Sequence, residues 1–221
     1  MTTSLAFIDH AEIGLKDLQD FCGALYLFFQ RDLSLAWGLY AVPWVAKEPD
    51  IDHTDWRIYL EKAPLLPKDW SCRGRHDYDD RGQRIPTGYV FVDRLKALGE
   101  DWSTVAAHEA IEMLSDPYLN LWCLNGDEFW SREICDPVQG LTYEVQGHQM
   151  PNFVLPDFYV PDSKGPWDFM GKLTEPFSIS SSGYASMRIK DAPVDVYGSE
   201  YPAWRKSRRL GSRNLARKEP T

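Results

Sequence analysis

The chain has 221 residues, of which 43% are apolar and 26% charged, enough to build a sizeable core and to exclude global disorder. The net charge of −9 argues against general nucleic-acid binding by the body of the protein, and fifteen Pro with fifteen Gly argue against a helical bundle. The longest unbroken apolar stretch, around Leu25 to Phe29, falls far short of the roughly 20 residues a membrane span needs. The first residues carry no basic segment of the kind that opens a signal peptide, so the sequence predicts neither secretion by that route nor membrane insertion.

In chain order, Asp9-His-Ala-Glu12 reads as a capping box, with His10 at a helix start. Leu18, Phe21, Cys22, Leu25, Phe28 and Phe29 follow at helical spacing, which predicts a helix over about 11–31. Gly38 to Ala46 and Trp56 to Leu60 read as strands. Residues 61–86 read as irregular, and His76-Asp77-Tyr78-Asp79-Asp80 within them as a solvated acidic loop. That loop has oxygen ligands for calcium but no EF-hand pattern. Thr87 to Asp93 is the clearest strand. Asp101-Trp-Ser-Thr opens a second helix, which runs to Ser115 and stops at Asp116-Pro117 because proline lacks the donor and restricts its predecessor. Leu141 to Val145 and Asn152 to Leu155 read as a hairpin turning near Gln146-Gly147 and carrying His148. Pro156 to Gly183 reads as aromatic loop. With no βαβ alternation visible, the fold class is α+β.

The four cysteines form no CxxC pair and read as free thiols of a reducing compartment. Charge is uneven. Residues 203–221 carry Arg205, Lys206, Arg208, Arg209, Arg213, Arg217 and Lys218 against one acid, a net +6, so residues 1–202 carry −15. The sequence thus divides into a domain, 1–202, and a basic tail, 203–221, suited to an acidic protein surface or to nucleic acid.

The second helix contains His108-Glu109-Ala-Ile-Glu112. Residues four apart share a helix face, so His108 and Glu112 project together. In HExxH helices this geometry presents two metal ligands, with the intervening glutamate as general base. Here Glu112 replaces the second histidine. A carboxylate still ligates zinc, though it is harder and adds negative charge. Asp116 continues the spacing, and Glu133 and Asp136 lie 25 and 28 residues beyond His108 as candidates for a further ligand. Clustered carboxylates repel, and a divalent cation relieves that cost. No Gly-rich phosphate loop, GxSxG elbow or Cys/His nucleophile pattern is present.

The order HExxE (His108–Glu112), Asp116-Pro117, Glu133-Ile-Cys-Asp136-Pro137 resembles a group of zincin-like, metallopeptidase-like bacteriophage proteins. The likeness extends in scattered blocks over about 25–190, including His76-Asp-Tyr-Asp and Asn152-Phe-Val-Leu-Pro156. It implies a zincin-like fold: a long N-terminal helix on a mixed sheet, the Thr87 to Asp93 strand bordering the cleft, and the HExxE helix beneath. It implies His108 and Glu112 as ligands of a divalent metal, zinc being the expected ion, with Glu133 or Asp136 completing the set and Glu109 in the base position. It also implies a virion protein, in the host cytoplasm during assembly, with other virion proteins as partners. Three functions follow as alternatives: a virion structural or accessory protein with a metal-held core, an active zinc metallopeptidase, or a nucleic-acid-binding accessory protein working through its tail.

Overall fold

The computed structural model describes residues 3–64, 66, 72–79, 84–190, 192–203 and 206. They form a mixed α+β protein of two compact units. The first comprises Met1–Tyr118 and Thr142–Met150, the second Leu119–Leu141 and Pro151–Thr221. Among the described residues, no helix is long and apolar enough to cross a membrane.

The first unit opens with strand β1 (Thr3–Asp9), which the sequence reading had passed over. The Asp9 carboxylate accepts from the backbone N–H groups of Ala11, Ile13 and Gly14, so it ties a turn and does not cap a helix. His10 belongs to that turn, with Nδ1 2.9 Å from Glu61 Oε1. Helix α1 (Leu15–Phe28) then buries Leu18, Phe21, Cys22, Leu25 and Phe28, the apolar series of the sequence. Each such leucine or phenylalanine contributes about 1.5–3 kcal/mol when fully buried. The helix continues as a π-turn, Phe29–Leu33, and a short α2 (Ser34–Trp37), ending at Gly38 in the left-handed conformation.

Strands β2 (Ala41–Ala46), β3 (Trp56–Glu61), β4 (Gly74–Asp79) and β5 (Ile85–Phe91) complete a five-stranded sheet of order β2-β1-β3-β5-β4. Four strands are parallel and β4 is an antiparallel edge. A β1-α1-β2 crossover is therefore present where the sequence reading saw no βαβ alternation. The chain enters α3 (Val92–Leu98) directly from β5, two residues before the expected strand end, and leaves it at Gly99 with φ 69°. Helix α4 (Trp102–Ser115) follows, and packs on β5 and β4. Phe21 ties this unit together: its ring meets Phe7 of β1 at 5.4 Å and Trp102 of α4 at 5.1 Å.

In the second unit, β6 (Trp122–Asn125) and β7 (Glu128–Ser131) form a hairpin. The predicted later hairpin exists and, through Met150, belongs to the first unit, with β8 (Thr142–Val145) and β9 (His148–Pro151) around Gln146-Gly147, both at positive φ. Its second arm starts four residues earlier than expected, because a two-residue turn of this kind brings the strands straight back. His148 on β9 sets its ring against Phe21. Strands β10 (Tyr184–Ile189) and β11 (Ala192–Tyr197) complete the four-stranded sheet β11-β10-β7-β6 of the second unit. Of the basic tail, Ala203 and Lys206 are described, with Lys206 Nζ 5.5 Å from the Tyr197 ring centroid. Arg205, Arg208, Arg209, Arg213, Arg217 and Lys218 lie outside the described residues.

All four cysteines are free thiols. Burial pushes the Cys22 thiol up to about 12 from 9.0. Between those two values the unfolded chain loses a proton that the folded chain keeps, so stability present below pH 9.0 falls as pH rises toward about 12. The slope is at most about 1.4 kcal/mol per pH unit. Urea unfolding at pH 8 and pH 10 should show the fall, and Cys22→Ala should flatten it.

Candidate metal centre

Helix α4 begins where the sequence places it. Asp101 caps it by accepting from the Ser103 backbone N–H at 2.9 Å, and Ser103 Oγ donates to the same carboxylate. Thr104 Oγ1 donates to the Gln149 carbonyl at 2.8 Å, tying the first turn to β9. Every residue from Ala106 to Ser115 is buried. A helix buried all round belongs to a core, so its three ionisable side chains are not an incidental solvated face.

His108, Glu109 and Glu112 expose 7%, 2% and 0% of their surface. His108 Nε2 lies 3.1 Å from Glu112 Oε1, so the i,i+4 pair meets as the spacing predicts. Asp116 is also buried, but it is the C-cap, with φ −142°. Its backbone has left the helix, so helical spacing no longer directs its side chain.

The sequence reading of residues 76–80 as a solvated loop is corrected. Gly74–Asp79 is the edge strand β4, paired with β5 in the register His76↔Gly88, and His76 is buried. Strand alternation explains the placement. Arg75 faces away from α4, its guanidinium 4.4 Å from the Tyr89 ring centroid. Gly74 and His76 face α4. His76 Nδ1 stands 3.5 Å from Glu109 Oε2. A ligand atom of Glu112 lies within 4.8 Å of a ring nitrogen of His76 as well as of His108. Gly74 makes room for this: a Cβ there would sit 2.8 Å from Glu109 Oε1 and 2.9 Å from Val105 Cγ1. Buried histidine, glutamate and cysteine side chains, with His76, His108 and Glu112 among them, form groups that can hold a metal ion. Their donor chemistry, imidazole nitrogen with carboxylate oxygen, suits a divalent cation such as zinc.

Glu133 and Asp136 belong to the second unit, and both are buried. Their segment is pinned there by backbone bonds from Arg132 N to Leu121 O, Val154 N to Ile134 O and Ser180 N to Pro137 O. Asp136 opens a short 3-10 turn, Asp136–Val138. Gly183 packs so closely on this turn that a Cβ would lie 2.1 Å from the Pro137 carbonyl oxygen.

Sequence reasoning placed His76 in a solvated loop and not beside the HExxE helix. Its signal was the alternation of Arg75 and Asp77 with Gly74, His76 and Tyr78, a strand pattern obscured by its charges. Compared with protein-family models, curated proteins and solved structures, the chain matches none.

Proposed function

We propose that this chain is a structural or accessory protein of a bacteriophage particle, with a zincin-like core held by a divalent metal, zinc being the expected ion. The observation that carries the metal is the buried His108–Glu112 pair at 3.1 Å. A long helix, a mixed sheet and an HExxE helix packed against it support the zincin-like reading. The particle assignment rests on the order of the HExxE, Asp-Pro and Glu-x-Cys-Asp-Pro motifs and on the +6 tail, which suits acidic surfaces of other virion proteins. Glu133 and Asp136 are the sequence's candidates for a further oxygen ligand. Burial favours holding over turnover, since a catalytic metal keeps one position open to substrate.

The alternative, an active zinc-dependent metallopeptidase, draws on Glu109, which follows His108 on the same helix. A bound divalent cation supplies Lewis acidity toward a peptide carbonyl. Glu109 would take the proton of the attacking water. Two variants separate these readings. Deleting residues 203–221 should abolish incorporation into particles, while binding of the intact chain to its partners weakens with salt. Glu109→Gln, assayed with zinc in large excess so that the site stays filled, should leave incorporation unchanged. Normal incorporation of the truncated chain would remove the assembly role, and proteolysis that disappears with Glu109→Gln would put the peptidase first.

A further inference from the structure

We infer that His76 is a metal ligand supplied by the sheet, and that Glu109 is the carboxylate that holds its ring in place. This deepens the metal-centre reading above and rests on it. An HExxH helix carries both imidazoles itself. In this chain Glu112 occupies the second position, and a second imidazole arrives from β4 instead.

Glu112 is the carboxylate that links the two histidines. Ligand atoms about 2 Å from a common ion lie within about 4 Å of one another. Glu112 offers a ligand atom within 4.8 Å of a ring nitrogen of His76 and lies 3.1 Å from His108 Nε2, so it is the donor that neighbours both imidazoles. The two edges of the His76 ring then have separate duties. Nδ1 faces Glu109 Oε2 at 3.5 Å, which assigns Nε2 to the cation. Ligating histidines almost always give their other N–H to a carboxylate, carbonyl or water, which fixes the tautomer and raises the basicity of the ligating nitrogen.

Gly74 supports the same assignment. It lies two residues before His76, on the same face of β4. The missing side chain is what lets the Glu109 carboxylate lie against the strand beside the His76 ring. Glu109 is therefore a positioning residue. An imidazole donor from His76 favours zinc and similar transition metals over calcium or magnesium, which take oxygen ligands.

The test uses the full chain loaded with zinc alone and competed with a chelator. His76→Ala should weaken zinc binding by more than about 100-fold, beyond what loss of an outer partner costs, and Glu109→Gln by about 10–100-fold. Unchanged affinity in His76→Ala, with affinity lost in His108→Ala, overturns this inference and leaves the metal-centre reading intact. A natural chain that binds no zinc overturns both. Should His76→Ala fail to fold, X-ray absorption of the zinc-loaded natural chain decides: two imidazole ligands support the inference, and one or none overturns it.

Discussion

Replacing Asp168 by alanine is expected to destabilise the protein by about 3–5 kcal/mol, the range of a buried network broken at its centre. Asp168 is completely buried. Its Oδ1 accepts from the backbone N–H groups of Lys172 at 2.8 Å and Leu173 at 2.7 Å. Its Oδ2 accepts from Asn152 Nδ2 at 2.7 Å. Asn152, equally buried, turns its Oδ1 to the N–H groups of Phe153 and Met170. Two side chains thus organise the long stretch without regular strands that precedes β10. Alanine leaves three donors without their acceptor, each costing about 1–3 kcal/mol when buried. Asp168→Asn keeps the volume but turns one oxygen into a donor facing a donor, so an intermediate loss is expected. Urea unfolding of both variants measures this, and a loss below about 1 kcal/mol in Asp168→Ala would show that the network relaxes or admits water.

Chelation should produce the second large effect. A cation that binds only the folded chain stabilises it by mass action, about 4.1 kcal/mol when free ion stands at 1,000 times its dissociation constant. For a chain of this size each kcal/mol moves the melting temperature by roughly 2–4 °C, so a fall of about 8–16 °C is expected on adding a strong chelator. The fall has a local cause: it leaves the fully buried Glu112 carboxylate among other ionisable groups without the cation's compensating charge. His108→Ala should melt low from the start and respond little to chelator. Identical melting of the natural chain with and without chelator would contradict a metal-held core.

How much of this was legible in the sequence differs by element. α1 and α4 were readable because each has a repeating apolar spacing, and α4 also has a clear stop at Asp116-Pro117, whereas the helical path of α1 runs past residue 31 to Trp37. β5 was readable because it ends in the apolar, β-prone run Tyr89-Val90-Phe91. β4 was not, since Arg75, Asp77 and the surrounding Gly and Arg residues score as turn. Its stability comes from pairing with β5 and from α4, which no local propensity records. β10 was hidden for a different reason: Tyr184 to Met187 are all buried, so the strand shows no alternation to find. β1 was overshadowed by Asp9, whose side chain does tie three backbone N–H groups, but in a turn ahead of α1.

The candidate site followed the same division. The His108–Glu112 pair lies on one helix, where four residues fix a distance, and the spacing predicted what is seen. His76 is brought to Glu109 by strand pairing across a sheet, a relation with no fixed separation in sequence. Gly74 illustrates the point from the other side. As a letter it suggests a turn, and in the fold it is the vacancy that admits a carboxylate.

The central claim, that His108 and Glu112 hold a divalent metal in the core, is tested most directly by the metal content of the purified full chain. Inductively coupled plasma mass spectrometry of the natural chain and of His108→Ala, each after exposure to zinc and gel filtration, gives the number. The account predicts about one tightly held divalent ion per natural chain and little or none in the variant, as expected when binding energy is coupled to folding. A natural chain that emerges metal-free, or a His108→Ala variant that retains the full complement, would contradict it.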